Sequence, residues 1–181
     1  MTYKEALHRE MLRLAGDNRV VFIGQGLLED DPFYGTLSGI PKNRMLEMPC
    51  AEILSTGVAI GLSLTGWIPV LLFQRMDFML LAADQLLNHA ALFPQMSGGQ
   101  ISVQMIIRAC VGSQDGKFEV GKQHNKDFSS LFSPYMDLWI LHPWIDNTFG
   151  KIHFKDALRI PKSLTMTIEY KDMYESEVAC D

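Results

Sequence analysis

The chain alternates between segments with helical spacing of apolar residues and short runs that are wholly apolar. Apolar positions recur every three or four residues between Tyr3 and Ala15, and Gly16 follows, which predicts a first helix. The next run, Val20-Val21-Phe22-Ile23, is β-branched and uncharged, as in a buried parallel strand. Runs of the same kind from Ile68 to Phe73 and from Val103 to Ile107 predict two more buried strands.

Two longer apolar segments lie between these strands. Ala51 to Leu64 has no charge after Glu52, so the pattern predicts a helix that is buried on most sides. Phe78 to Phe93 predicts another apolar helix, closed by Pro94. The remaining predicted elements are a short helix from Phe128 to Tyr135, a strand from Leu138 to Leu141, a polar helix from Asp146 to Leu158 and a last strand from Leu164 to Glu169.

This alternation of helices and apolar strands predicts the fold class. It is typical of an α/β protein with three αβα layers and a mostly parallel sheet. With 181 residues and no linker-like tract, we expect one domain over residues 1–181, which binds its ligands at the carboxyl ends of the strands.

Composition and charge exclude several classes of function. A net charge of −5 and the lack of a basic run argue against nucleic acid as a partner. The longest apolar stretch, Gly57 to Phe73, contains Thr65, Gly66 and Pro69, so it does not predict a membrane span. The amino terminus is too polar for a signal peptide, and we expect a cytoplasmic protein. Its three cysteines are widely spaced and predict reduced thiols: Cys50, Cys110 and Cys180.

The first strand is followed by Gly24-Gln25-Gly26, which invites comparison with dinucleotide-binding loops. The third glycine of that fingerprint is absent, because Leu27 follows directly. The acidic turn at residues 29–31 would also repel a pyrophosphate. The sequence therefore favours a tight loop after a strand and not a nucleotide site.

Glu52 has two interpretations on sequence grounds. An acid in the first turn of a helix is commonly there because it complements the helix dipole. A lone acid before a long apolar run is also expected to be partly desolvated, which would raise its pKa and let it donate a hydrogen bond near neutral pH.

Three further side chains are ambiguous by themselves. His124, at the end of a glycine-rich loop, is either a solvated loop residue or an acid–base group. Phe78 has the sequence context of a core aromatic residue. The position of His89 within an apolar helix predicts that its side chain is packed in the core.

Several short motifs occur together along nearly the whole chain, and their order and separation carry a resemblance. They are Met1–Leu7, Met48-Pro49-Cys50-Ala51-Glu52, Arg75-Met76-Asp77-Phe78, Ala83–Asn88, Met96–Gln100, Gln123-His124, His142-Pro143 and Glu169–Tyr174. Together they resemble the pyrimidine-binding domain of the beta subunit of the decarboxylase component of 2-oxo-acid dehydrogenases. That domain belongs to the transketolase-like superfamily, whose enzymes depend on thiamine diphosphate.

The resemblance implies a role for five residues. Glu52 matches the glutamate that hydrogen-bonds a ring nitrogen of the aminopyrimidine and so promotes activation of the thiazolium carbon. Phe78 matches the aromatic residue that stacks on the pyrimidine, and His124 matches the histidine that transfers protons at the substrate. Gln25 and Leu27, after the first strand, are placed among the cofactor contacts.

The resemblance also implies a missing half-site. The Gly-Asp-Gly and downstream Asn that hold the Mg²⁺ of the diphosphate have no counterpart, since residues 114–116 read Gln-Asp-Gly and lack a suitable Asn. We therefore expect a separate pyrophosphate-binding chain to hold Mg²⁺ and the diphosphate, in a heterotetramer. No transketolase-type carboxy-terminal domain is expected in this sequence. Departures from the family pattern fall at the mouth of the site: Gln74-Arg75, Lys122 and Asn125-Lys126.

Three functions remain open at this point. The first is the pyrimidine-binding subunit of a split thiamine-diphosphate enzyme, of 2-oxo-acid decarboxylase, dehydrogenase or transketolase type, which acts on a small carbonyl or 2-oxo-acid substrate. The second is a non-catalytic scaffold or regulatory relative. The third is one subunit of a split decarboxylase for an anionic oxo acid, whose charged group would bind Arg75, Lys122 and Lys126.

Overall fold

The computed structural model describes residues 1–113, 121–141 and 164–177. Six strands within these ranges form one sheet in the order β2-β1-β3-β4-β6-β5, and every neighbouring pair is parallel. The strands are β1 (Val20–Gly24), β2 (Met45–Glu47), β3 (Ile68–Phe73), β4 (Met105–Val111), β5 (Asp137–Leu141) and β6 (Leu164–Tyr170). The α/β class and the parallel sheet are thus confirmed.

Helices lie on both faces of the sheet. They are α1 (Tyr3–Ala15), α2 (Glu52–Leu64), α3 (Met76–Met79), α4 (Phe93–Met96) and α5 (Ser129–Phe132), with 3₁₀ turns at Lys42–Arg44, Leu80–Ala82 and Lys171–Met173. No helix among the described residues is long and apolar enough to cross a membrane.

The first helix has the termini that its sequence predicts. The Thr2 hydroxyl accepts a hydrogen bond from the Glu5 backbone N–H, and the Glu5 carboxylate accepts one from the Thr2 N–H. This reciprocal capping box satisfies two of the backbone donors that a helix start leaves without partners. The helix then packs its apolar side on one face of the sheet.

Most strand predictions are confirmed, although β4 begins two residues and ends four residues later than predicted. The exception is β2, a three-residue strand for which the sequence predicts no element. It is too short for an alternation pattern, and it forms because its backbone pairs with β1, with Met45 opposite Phe22. The predicted helix from Asp146 to Leu158 lies outside the described residues.

The predicted helix from Phe78 to Phe93 is helical for most of its length, but it is not one regular α-helix. The segment comprises α3, a 3₁₀ turn, a π-helical turn at Gln85–Ala90 and α4. Pro94 lies at the start of α4, where a missing N–H costs little. His89 was expected to be packed, but half of its side chain is exposed.

The prediction that α2 is buried on most sides is also wrong. Ser55, Thr56 and Ala59 face the sheet, whereas Ile53 and Leu54 are about half exposed, at 54% and 50%. Gly57 and Gly61 lie on the same exposed side as those two residues. The helix therefore carries an apolar outward surface that nothing in the described chain covers.

The sheet separates two apolar clusters. One packs α1 against alternate residues of β1, β3 and β4, and the other packs α2 and the segment after β3 on the opposite face. Adjacent residues Phe22 and Ile23 of β1 belong to different clusters, as the two-residue period of a strand requires.

A buried ion pair lies within the first cluster. Arg108 of β4 and Glu169 of β6 are fully buried, and two hydrogen bonds of 2.5 and 2.7 Å join the guanidinium and the carboxylate. Arg108 also donates to the Thr36 hydroxyl at 3.1 Å, and Tyr174 donates to Glu169 at 3.0 Å. Burial alone would lower the pKa of Arg108, but the facing carboxylate outweighs it, so the net pKa is raised and the charge is retained.

We predict that Glu169→Gln lowers the free energy of unfolding by roughly 3–5 kcal/mol, because it leaves the Arg108 charge buried without a counter-charge. The double variant Arg108→Met/Glu169→Leu removes both charges and should recover most of that loss. Urea unfolding of the purified chain measures both. A double variant less stable than Glu169→Gln would contradict the desolvation argument.

Candidate functional site

A small cavity opens at the carboxyl ends of β1 and β3. Gly24 and Gln25 line it from β1, Leu72 and Phe73 from β3, and Glu52 from the start of α2. The same cavity is lined by Pro49, Ala51, Ser55, Gln74, Arg75 and Phe78. Ligands of parallel α/β proteins bind at this edge of the sheet, where strand ends and helix starts meet.

Glu52 is the first residue of α2, whose amino terminus has no side-chain cap. Its side chain is half-buried, and its carboxylate has no hydrogen bond or ion pair with any part of the chain that the structure describes. The positive end of the helix dipole stabilises a carboxylate at this position. The arrangement leaves both carboxylate oxygens available to a ligand in the cavity.

Phe78 and His124 lie together beside Glu52's cavity. Phe78, in α3, lines the cavity, and the His124 ring is 5.2 Å from it, centroid to centroid, at an interplanar angle of 87°. His124 does not line the cavity itself, but it contacts Phe78, which does. The structure therefore brings together Glu52, Phe78 and His124, three of the five residues for which the resemblance implies a role.

Contacts from α3 hold the loop that carries His124. The Lys126 backbone N–H donates to both oxygens of Asp77, at 3.3 and 3.4 Å, and the Phe128 N–H donates to the Met76 sulfur at 3.4 Å. Asp127, on the same loop, accepts a hydrogen bond of 2.5 Å from the Tyr170 hydroxyl. These contacts fix the loop relative to β6 and the cavity.

Gly112, just after β4, lies directly beneath this loop. A Cβ built on Gly112 would be 2.0 Å from the His124 carbonyl oxygen, so only glycine allows the loop to approach so closely. Sequence reasoning did not identify Gly112, because the predicted strand ends at Ile107 and only the structure extends β4 to Val111.

Of the two expected cofactor contacts in the loop after β1, one lines the cavity and the other does not. Gln25 lines the cavity, and its carbonyl accepts a hydrogen bond of 3.1 Å from the Gln74 side chain. Leu27, by contrast, packs into the core with 1% exposure, and its side chain does not line the cavity. The two residues thus lie on opposite sides of the loop.

Glu47, which sequence reasoning missed, organises that loop. Its carboxylate accepts backbone N–H hydrogen bonds of 2.7, 2.6 and 3.1 Å from Gly26, Leu27 and Leu28. Consecutive N–H groups of this kind commonly bind phosphate, but here the protein's own carboxylate occupies them. The loop after β1 is therefore tight, as predicted, and the Glu47 carboxylate takes its three N–H groups.

Tyr34 supports the part of the cavity wall formed by Gln74 and Arg75. Its hydroxyl donates to the Gln74 carbonyl oxygen at 3.2 Å and accepts a short hydrogen bond from Arg75. Burial raises the pKa of Tyr34 to about 12, so the phenol stays protonated. Lys122 and Lys126, grouped with Arg75 in one hypothesis, do not line the cavity.

Among residues 1–113, 121–141 and 164–177, no group of three or more His, Cys, Asp or Glu side chains is arranged to hold a metal ion. The carboxylates of Glu47 and Asp77 instead accept backbone N–H groups.

Comparison with known proteins gives a consistent result. The chain is 34% identical over 149 residues to the mitochondrial pyruvate dehydrogenase E1 component subunit beta of Saccharomyces cerevisiae, across 80% of this chain and 40% of that protein. It is 30% identical over 164 residues to the Bos taurus subunit of the same name, across 88% and 45%. No protein family model matches the chain.

A solved structure, described as an inactive beta4 tetramer of a split-gene transketolase, covers 98% of this chain and 53% of its own, with a TM-score of 0.71 and 19% identity. At that identity the match establishes the fold. This chain is a relative of the pyruvate dehydrogenase E1 beta subunits, with a transketolase-like pyrimidine-binding fold. The chain spans less than half the length of the yeast and bovine subunits.

We predict that Gly112→Ala displaces the loop that carries His124. The substitution should also lower the free energy of unfolding by about 1–3 kcal/mol, the usual cost of overpacking. Gly57→Ala is the matched control, because its added Cβ meets nothing within 4 Å. Urea unfolding measures stability, and the NMR shifts of the His124 ring protons report its distance from Phe78. Unchanged His124 shifts in Gly112→Ala would contradict the assigned role.

Proposed function

We propose that this chain is the pyrimidine-binding subunit of a split thiamine-diphosphate-dependent enzyme that cleaves or forms a carbon–carbon bond next to a carbonyl, with a 2-oxo acid as donor. The observation that carries the proposal is the half-buried Glu52 carboxylate, which has no partner within the described chain and shares its cavity with Phe78. The E1-beta relatives and the transketolase-like fold support it.

The residues of the cavity fit an aminopyrimidine ring. Glu52 supplies a carboxylate at one side, which suits a ring nitrogen that accepts or shares a proton. Phe78 supplies an aromatic face, and rings of this kind stack with a partner at van der Waals distance. The amide of Gln25 and the Gln74 side chain add polar groups that suit the edge of such a ring.

Thiamine diphosphate supplies a nucleophilic carbon that adds to carbonyl groups and stabilises the resulting negative charge. The chain's own contribution is to orient the pyrimidine and to hold a proton. Glu52 would share a proton with the pyrimidine nitrogen from a position fixed by the first turn of α2. His124, beside Phe78, would transfer a proton to or from the donor.

The diphosphate and its Mg²⁺ would be held by a different chain. The backbone N–H groups after β1 are already bound by Glu47, and no metal-ligand cluster occurs among the described residues. Mg²⁺ requires several oxygen ligands in octahedral geometry, commonly carboxylates together with phosphate oxygens. A partner that supplies them completes the site, and we propose a cytoplasmic heterotetramer.

The outward side of α2 is the surface we propose for that partner. It carries Ile53, Leu54 and Leu64, all about half exposed, around Gly57 and Gly61. A Cβ on either glycine would meet nothing within 4 Å, so neither glycine is needed for packing within the described chain. Glycines at this spacing let a second backbone approach closely, which here would also bring it to the cavity beside Glu52.

We predict that Gly57→Ala/Gly61→Ala stabilises the isolated chain by up to about 2 kcal/mol, since glycine costs roughly 1 kcal/mol against alanine within a helix. The same variant should bind the partner at least tenfold more weakly, because each methyl group holds the partner helix away. Urea unfolding and titration calorimetry with the partner chain measure the two effects. Equal affinity for the partner would remove the outward side of α2 from the interface.

We predict that Glu52→Gln lowers the kcat of the reconstituted enzyme by at least 100-fold, because the amide cannot hold and release the proton. Assembly with the partner should be retained, which size-exclusion chromatography checks. Asp30→Asn, an exposed acid-to-amide change, is the matched control and should leave kcat unchanged. Full activity of Glu52→Gln would refute the catalytic proposal and favour a scaffold role.

A further inference from the structure

Arg75 is the cationic residue that the structure places in the lining of the cavity, together with Glu52 and Phe78. It immediately precedes α3, where β3 turns into the segment that carries Phe78. We infer that Arg75 recognises a second anionic group on the donor substrate, a carboxylate, sulfonate or phosphonate located beyond the reacting carbonyl. This inference rests on the proposed function and narrows its substrate class.

The guanidinium is held in place by neutral oxygens. Its Nη1 donates to the Tyr34 hydroxyl and, at 2.7 Å, to the Gln74 carbonyl oxygen. Within the described ranges no carboxylate lies within 4 Å of Arg75, and its Nε and Nη2 have no hydrogen-bond acceptor. A half-buried guanidinium with one nitrogen anchored and two available is oriented to bind an anion with two parallel hydrogen bonds.

A second cation increases the positive potential around Arg75. The Lys171 ammonium is 3.7 Å from the centroid of the Tyr34 ring, and the Arg75 guanidinium carbon is 5.6 Å from the same centroid. Burial and then the charge of Arg75 lower the pKa of Lys171. Lys4 acts in the same direction, and Asp31 opposes them in part. An anion bound at Arg75 would relieve the repulsion between these cations.

The bound group is expected to be the distal one and not the carboxylate next to the carbonyl. That carboxylate leaves in a decarboxylation, so a strong ion pair with it would stabilise the ground state more than the transition state. A distal acid keeps its charge throughout the reaction. Binding it would orient the carbonyl without raising the barrier.

The test compares donors that differ only in the distal group. In the reconstituted enzyme, KM and kcat are measured for 2-oxobutanoate and for the pyruvates whose terminal carbon carries a carboxylate, sulfonate or phosphonate. We expect Arg75→Gln to raise KM for at least one of the three anionic donors by 10- to 100-fold, the range for a charged hydrogen bond, and to raise KM for 2-oxobutanoate, which lacks a distal charge, much less. The donor most affected identifies the acid.

Two variants separate recognition from support of the fold. Tyr34→Phe removes a hydrogen-bond partner of Arg75 but leaves the guanidinium in place. Arg75→Lys keeps a positive charge but cannot donate two parallel hydrogen bonds. A recognition role predicts partial rescue by Arg75→Lys and a smaller effect of Tyr34→Phe on KM. Two results would overturn the inference: Arg75→Gln raises KM equally for all four donors, or Tyr34→Phe raises KM as much as Arg75→Gln does. Either result would mean that Arg75 only supports the fold of the cavity wall.

A binding measurement on the isolated chain does not depend on turnover. NMR titrations with methanesulfonate, methylphosphonate and acetate should shift the Tyr34 ring signals of the native chain, and at least tenfold less in Arg75→Gln. Lys42→Gln, which removes an exposed charge before β2 at the opposite edge of the sheet, is the control. Anion binding that persists in Arg75→Gln would overturn the inference. A Glu52→Gln enzyme with full activity would refute the proposed function but leave this measurement valid.

Discussion

Arg108 and Glu169 lie side by side between neighbouring strands with no exposed surface, and a charge in that position cannot do without its partner. Removing water from either ion costs several kcal/mol, so the pair is tolerable only because the remaining donors and acceptors are also satisfied. Thr36 and Tyr174 satisfy them. This requirement fixes how two distant parts of the chain, the loop after β1 and the turn after β6, dock against the sheet.

The same constraint extends to the candidate site. The Arg108 guanidinium packs over the Phe33 ring, with 5.0 Å to its centroid, and Phe33 and Tyr34 both have left-handed backbones, with φ of 45° and 59°. Bulky residues seldom adopt this conformation, which costs of order 1–3 kcal/mol and persists only where the surroundings impose it. The cost is offset because the strained turn aims Tyr34 at Gln74 and Arg75, in the cavity wall. The turn at Phe33 and Tyr34 therefore connects the buried Arg108–Glu169 ion pair to the cavity wall.

Sequence pattern predicted the parts of the fold that depend on local periodicity. The apolar runs that became β1 and β3 are buried on both faces, and such runs are the clearest strand signal. The three-residue β2 and the π-helical turn at Gln85–Ala90 depend on pairing and packing with distant residues, which local pattern does not record. Arg108 is the sharpest case, since a charge within a strand normally indicates an exposed position, and only Glu169, 61 residues later, reverses that expectation.

The candidate site shows the same division. Periodicity left Glu52, Phe78 and His124 ambiguous, and the resemblance selected them. Glu47 and Gly112, which shape the loops around them, carry no signal beyond being an acid and a glycine near strand ends.

The misjudged burial of α2 has a physical cause that bears on function. An apolar helix predicts burial but does not say whether the covering surface belongs to the same chain. Here the inward side is covered by the sheet and the outward side, around Gly57, is not. The same helix begins with Glu52, whose carboxylate also has no partner in the described chain. One arrangement explains both the uncovered apolar side of α2 and the unpartnered carboxylate of Glu52. A second chain would cover the apolar side, and a ligand held between the two chains would bind the carboxylate.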